Sequence, residues 1–172
     1  MIRVLLAVDV QNLFFACRDQ YGIRSKLDFE TLRKAVAERQ EDCSVVARAY
    51  MVTKEGHDDS KFITALERLG YTVRRRVVDP DKGNTDWDTG IASETMRDCD
   101  EFDVVAIASG DGDFVDLLSP LRTKGKRVEV LSFRADLSRE LEAAADRVTI
   151  LDDTFLWEGG SKNGRREGTR LP

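Results

Sequence analysis

Val104-Val105-Ala106-Ile107-Ala108 runs directly into Ser109-Gly110-Asp111-Gly112-Asp113-Phe114. The first five residues are apolar on both faces and rich in β-branched side chains, the pattern of a parallel strand buried on two sides. The same pattern opens the chain, where Val4-Leu5-Leu6-Ala7-Val8 ends on Asp9. Two strands that each end on acid deliver carboxylates to one edge of a sheet. In an open α/β sheet the crevice beyond the carboxyl ends, where the winding reverses, is where ligands bind. Carboxylates gathered there point to a divalent cation.

Working outward, strand-like and helix-like periods alternate along the chain. Val45 to Val52, Tyr71 to Val78, Arg127 to Phe133 and Val148 to Leu151 read as further strands. Leu13 to Tyr21, Phe29 to Gln40, Ser60 to Leu69, Asp86 to Arg97, Phe114 to Lys124 and Leu137 to Ala145 read as helices. Asp28 sits where an N-cap belongs, and Gly70 and Gly125 where a left-handed C-terminal cap belongs. Such alternation predicts a parallel, doubly wound sheet. Residues 1–157 form one domain on this reading. From 158 to 172 the sequence loses apolar periodicity and becomes rich in glycine and charge, so a flexible basic tail is expected there.

The 172 residues are 41% hydrophobic and 34% charged, enough for one domain to bury its own core. A formal charge of -5 argues against a protein that coats nucleic acid electrostatically, so contact with a polynucleotide must be local or assisted by metal. Cys17, Cys43 and Cys99 are irregularly spaced and have only His57 as a histidine companion, which fits neither a zinc site nor a disulfide framework and suits a reducing cytoplasm. The first apolar run stops at Asp9 and no later one is long enough to span a bilayer, so neither a leader nor a membrane partner is expected.

An ionised Asp9 at the end of an aliphatic strand is costly unless it coordinates a cation or caps a helix. Its bland role is to cap the helix containing Leu13 and Phe14, although Asn12 could be that cap and free Asp9. Asp111 and Asp113 flank Gly112, and they could converge if this glycine adopted a conformation closed to other residues. One of the two could simply start the next helix, a role that suits Asp113 better because Asp111 is nearer the strand. In Lys82-Gly83-Asn84-Thr85-Asp86-Trp87-Asp88, Asp88 shares a helical face with Ile91, Ala92 and Thr95 and so can reach over the sheet edge. Asp86 is an N-cap candidate, and Glu94, six positions past Asp88, points around the helix; both are carried as supporting residues.

Other chemistries lack their parts. A dinucleotide fingerprint would need glycine where Val115 stands, and there is no P-loop. No histidine serves a nucleophilic triad, because His57 lies in a polar loop. An aspartyl-phosphate phosphatase would carry an acid where Gln11 stands, and a receiver domain would carry its lysine at the end of the strand that Lys126 precedes.

Taken together, Val-Asp-Val-Gln-Asn-Leu at 8 to 13, Lys82-Gly83 through Trp87-Asp88, Ser-Gly-Asp-Gly-Asp-Phe at 109 to 114 and Lys-Gly-Lys-Arg-Val-Glu-Val at 124 to 130 resemble the NYN domain family, in its LabA-like branch. The resemblance reaches to about Trp157. It implies a three-layer PIN-like (Rossmannoid) α/β fold with a central, mainly parallel sheet of strand order 3-2-1-4-5. It maps Asp9, Asp88, Asp111 and Asp113 onto the family's metal-binding, catalytic acids, and Asn12 and Ser109 onto their polar supports. The implied activity is hydrolysis of phosphodiester bonds in single-stranded RNA, with Mg²⁺ or Mn²⁺ as cofactor.

RNA contacts are then expected from Arg74, Arg76, Lys82, and Arg165 and Arg166 of the tail. For the arginines at 74 to 76 the bland explanation is that their strand is an edge, which carries charge to discourage aggregation. The alternative function is a catalytically quiet module that binds RNA or a protein partner in regulation. Self-association stays open.

Overall fold

The computed structural model describes residues 1–79 and 87–158 of the chain. Six strands form one sheet: β1 (Ile2–Asp9), β2 (Cys43–Lys54), β3 (Tyr71–Val78), β4 (Val104–Ala108), β5 (Arg127–Phe133) and β6 (Arg147–Leu151). Their order is β3-β2-β1-β4-β5-β6, and every pairing is parallel. The expected order 3-2-1-4-5 is therefore present, with β6 added beyond it. β1 and β4 are direct neighbours, with Val4 opposite Val104 and Val8 opposite Ala108. The winding reverses between them.

That reversal sorts the helices. A parallel crossover is right-handed, so strands laid down in opposite directions from the centre carry their helices on opposite faces. α1 (Val10–Tyr21), α2 (Phe29–Ala37) and α3 (Ser60–Arg68) cover one face. Their Leu13, Leu32, Val36 and Leu66 pack with Val4, Leu6 and Val8 of β1 and with Leu131 and Phe133 of β5. α4 (Asp88–Asp98), α5 (Val115–Thr123) and α6 (Arg139–Ala144) cover the other. There Ile91, Leu118, Leu121 and Leu141 pack with Ala7, Val105, Ile107, Val128 and Val130. Both faces of β4 are buried, as its unbroken apolar run requires. Among the described residues no helix is long and apolar enough to cross a membrane.

Local signals set the boundaries. Asp28 caps α2, its side chain accepting from the backbone N–H groups of Glu30 and Thr31 at 3.0 and 3.1 Å. Gly70 and Gly125 follow α3 and α5 at φ 84° and 75°. Leu156, in an antiparallel bridge with Leu27, and Trp157, whose N–H donates to the Lys26 carbonyl at 2.8 Å, tie the end of the domain back to its amino-terminal half. Lys82, Asp86 and the tail residues Arg165 and Arg166 lie outside the described residues.

The Asp28 cap tests the local argument. Asp28→Ala should cost about 1–2 kcal/mol, as loss of an N-cap with two backbone acceptances does. Urea unfolding should show the lower midpoint with an unchanged slope.

Candidate metal centre

The ladder between β1 and β4 sets Asp9 beside Ser109 at the carboxyl edge of the sheet. Asp9 is the N-cap of α1: its Oδ1 accepts from the Asn12 N–H at 3.1 Å. Asn12 is therefore inside the helix, not its cap, and its side chain has another task. The Oδ1 of Asn12 accepts from the Gly110 N–H at 2.9 Å, and its Nδ2 donates to Asp136 Oδ2 at 2.6 Å. One amide thus ties α1 to the loop after β4 and to the loop after β5. The Ser138 N–H donates to the Gly110 carbonyl at 2.9 Å and holds the same loop from the other side. Gly110 leaves no room for a side chain, because a Cβ there would lie 2.6 Å from both the Asp136 carbonyl oxygen and Ser132 Oγ.

Beyond Gly110 the chain turns sharply. The Asp111 N–H donates to Ser109 Oγ at 3.3 Å, and Ser109 Oγ has a long 3.5 Å contact to Asp9 Oδ2. Asp111 Oδ1 accepts from the Asp113 N–H at 2.9 Å and caps the short 3-10 turn Gly112–Phe114. Two expectations are corrected here. The capping role falls to Asp111, and Gly112 takes an ordinary negative-φ turn conformation, so the cap and not an unusual glycine brings the two acids to one side.

Asp88 arrives from the neighbouring helix. Trp87, just ahead of α4, donates its indole N–H to the Met51 carbonyl at 2.8 Å and packs edge-on against Tyr50 at 5.6 Å. The indole lies over Gly90, where a Cβ would come within 2.3 Å of the ring. This anchor aims the first turn of α4 at the β4 loop. Carboxylate oxygens of Asp88, Asp111 and Asp113 then lie within 4.8 Å of one another. Oxygens on opposite sides of a Mg²⁺ are about 4.2 Å apart, so three hard donors at this spacing suit Mg²⁺ or Mn²⁺.

The four acids named from the sequence do not form one ring. Asp9 is outside the group of three and sits behind Asp111, only 8% exposed. Burial is the main reason that its carboxyl is pushed up to about 6, with Asp111 and Asp136 adding repulsion and the Asn12 N–H opposing. Asp136, which sequence reading did not single out, is also raised by burial and by Asp111. No local pattern marked it, since its place depends on where the β5–α6 loop lands. Glu94 accepts from Tyr50 Oη at 2.9 Å and from Arg74 Nε at 3.3 Å, so helix α4 and strand β3 are pinned together by the pair. The Arg76 guanidinium lies 4.5 Å from the centre of the ring of Trp87, the residue that precedes Asp88.

A doubly wound sheet with three acids converging at its switch point is a PIN-like arrangement with a candidate metal-binding cluster. The model of the NYN domain matches residues 3–152. The chain is 30% identical over 160 residues to Low amplitude and bright protein LabA of Synechococcus elongatus, an alignment that covers 88% of this chain and 84% of that protein. It also resembles a crystal structure of a protein of unknown function from Vibrio parahaemolyticus, with a TM-score of 0.80 and 27% identity over 91% of this chain and 96% of that one. The chain belongs to the NYN domain family, PIN-like nucleases that act on nucleic acids and are typically metal-dependent.

Burial of Asp9 has a measurable consequence when divalent cations are chelated. Its folded value of about 6 lies above the ordinary 3.8, so the folded state holds the extra proton between those values. Stability must then fall as pH rises through that window and level off above it. The full difference is on the order of 3 kcal/mol. Asp9→Asn keeps the cap acceptor and removes the charge. It should melt higher than wild type near neutral pH, and the two curves should meet below pH 3.8.

Proposed function

We propose that the protein is a Mg²⁺- or Mn²⁺-dependent endoribonuclease that hydrolyses phosphodiester bonds in single-stranded RNA. The observation that carries this reading is the convergence of the Asp88, Asp111 and Asp113 carboxylates at the sheet's switch point. These three would hold the cation. When bound, such an ion lowers the pKa of a water and offsets charge on the scissile phosphate. Asp9 stands one layer inward, and a carboxylate titrating at about 6 can take up a proton near neutrality. Asn12 and Ser109 keep Asp9 and Asp111 in register through the bonds described above.

RNA is favoured as substrate by membership of a nucleic-acid-acting family, and its backbone would be held locally because the chain is acidic overall. Arg76, lying on Trp87 next to Asp88, is the best placed of the basic residues named from the sequence. Arg74 shares its guanidinium with Glu94 and contributes less. We assign Lys82 and the tail's Arg165 and Arg166 to phosphate contacts on their charge. A cytoplasmic setting fits this substrate.

The test is cleavage of a labelled single-stranded RNA by the full chain in Mn²⁺, stopped by a chelator. Asp111→Asn, which deletes a ligand charge at nearly constant shape, should lose cleavage while RNA binding survives. It should also lose the cation's effect on melting, which for wild type is roughly 2.7 kcal/mol at a hundredfold excess over Kd. Cleavage that persists in Asp111→Asn would sink the assignment. Binding without turnover at every metal concentration would mark a quiet regulatory module instead.

Removal of residues 158–172 separates binding from chemistry. The shortened protein should bind RNA more weakly, with the deficit largest at low salt where phosphate contacts count most, and should keep its response to Mn²⁺. Filter binding across a salt series reads the difference in slope.

A further inference from the structure

A groove of about 610 Å³ lies between α4 and α5, and Asp88 and Asp113 of the acid cluster are among the residues that line it. Its size lies within the roughly 300–1,000 Å³ of small-ligand clefts. From α4 come Thr89, Ala92, Ser93 and Met96, and from α5 Asp116, Leu117 and Pro120. Each set is a stripe at helical spacing. Ala92, Ser93 and Pro120 are too small to fill the space between two helices, which is why the groove exists. Met96 and Leu117 give it an apolar floor.

Its charged groups are all acidic, and Thr89 and Ser93 add hydroxyls that can donate or accept. Asp88, Asp113 and Asp116 are acceptors when ionised. Pro120 has no N–H to donate to the Asp116 carbonyl four residues back, so that carbonyl too is released from the helix ladder beside the groove. Among the described residues no Lys or Arg lines it. Such a surface repels a phosphate. It suits a flat, neutral, partly apolar group that offers hydrogen-bond donors. In a polynucleotide whose scissile phosphate sits at the carboxylate cluster, the neutral groups next along the chain are a base and a ribose, and the groove shares Asp88 and Asp113 with that cluster.

We infer that the groove between α4 and α5 receives the nucleoside flanking the scissile phosphate, with the base over Met96 and Leu117 and the ribose 2′-hydroxyl donating to Asp116. This rests on the nuclease reading for the position of the phosphate. The 2′-hydroxyl is the donor that DNA lacks, so the groove discriminates RNA from DNA.

The experiment uses the full chain and two ten-nucleotide probes of one sequence, single-stranded RNA and DNA, with affinity read by fluorescence anisotropy in Ca²⁺ and KM read in Mn²⁺. Ser93→Trp fills the groove from an exposed helical position. It should raise Kd and KM for RNA about tenfold, a loss of about 1.4 kcal/mol, and leave the Mn²⁺-induced rise in melting temperature unchanged. Asp116→Asn, a surface change that keeps the fold, should narrow the RNA-to-DNA affinity ratio by about tenfold. If a folded Ser93→Trp binds RNA within twofold of wild type, the inference is overturned and the groove is left to a peptide partner. If Ser93→Trp does not fold, Asp116→Asn decides: an unaltered RNA-to-DNA ratio overturns the assignment. A wild type that cleaves no RNA but binds it, with Ser93→Trp weakening that binding, ends the nuclease reading and supports the groove. Normal cleavage with unaltered kinetics in both variants does the reverse.

Discussion

The parallel ladder between β1 and β4 is the constraint from which the rest follows. Both strands are apolar on two faces, so neither can stand at an edge, and pairing them at the centre removes the most surface from water. Once they are neighbours the sheet must grow outward in two directions, and right-handed connections send three helices to each face. The same pairing brings Asp9 and the Ser109 loop side by side. A hydrophobic requirement thereby sets the geometry of a charged site.

That site works against its surroundings. Asp9 is buried next to Asp111 and Asp136, and each neighbour makes its ionised form less favourable. The fold offsets the repulsion with backbone and amide donors: the Asn12 N–H on Asp9, the Asp113 N–H on Asp111, and the Asn12 side chain on Asp136. These bonds hold direction without cancelling charge. Proton uptake by Asp9 relieves part of the repulsion, and a cation held by the outer acids would relieve more.

Much of this was legible in the sequence because it is carried by period and by caps. β3, β4 and β5 begin and end where their strand-like patterns do. α1 begins at Val10 and not Leu13, because the Asp9 cap reaches the Asn12 N–H and draws the intervening residues into the helix. α2 stops at Ala37 short of Gln40, where no proline or glycine announces the end. The acids of the β4 loop were visible as a motif, yet their division into an inner and an outer set was not. Whether Asp9 joins Asp88 depends on the angle at which α4 meets the sheet. That angle comes from Trp87 seated on Tyr50 and bonded to Met51, contacts between residues far apart in the chain. The pairing of Glu94 with Arg74 and the arrival of Asp136 are of the same kind.

The Asn12 amide spans three parts of the chain that are synthesised far apart: α1, the loop after β4 and the loop after β5. A nascent chain that has folded only β1, β2 and β3 has neither Gly110 to hold nor Asp136 to meet, and it has none of the outer three acids. The acid cluster is therefore incomplete until the carboxyl-terminal half has docked. On the ribonuclease reading proposed above, a domain assembled this way would leave ribosome and message intact while it is being made.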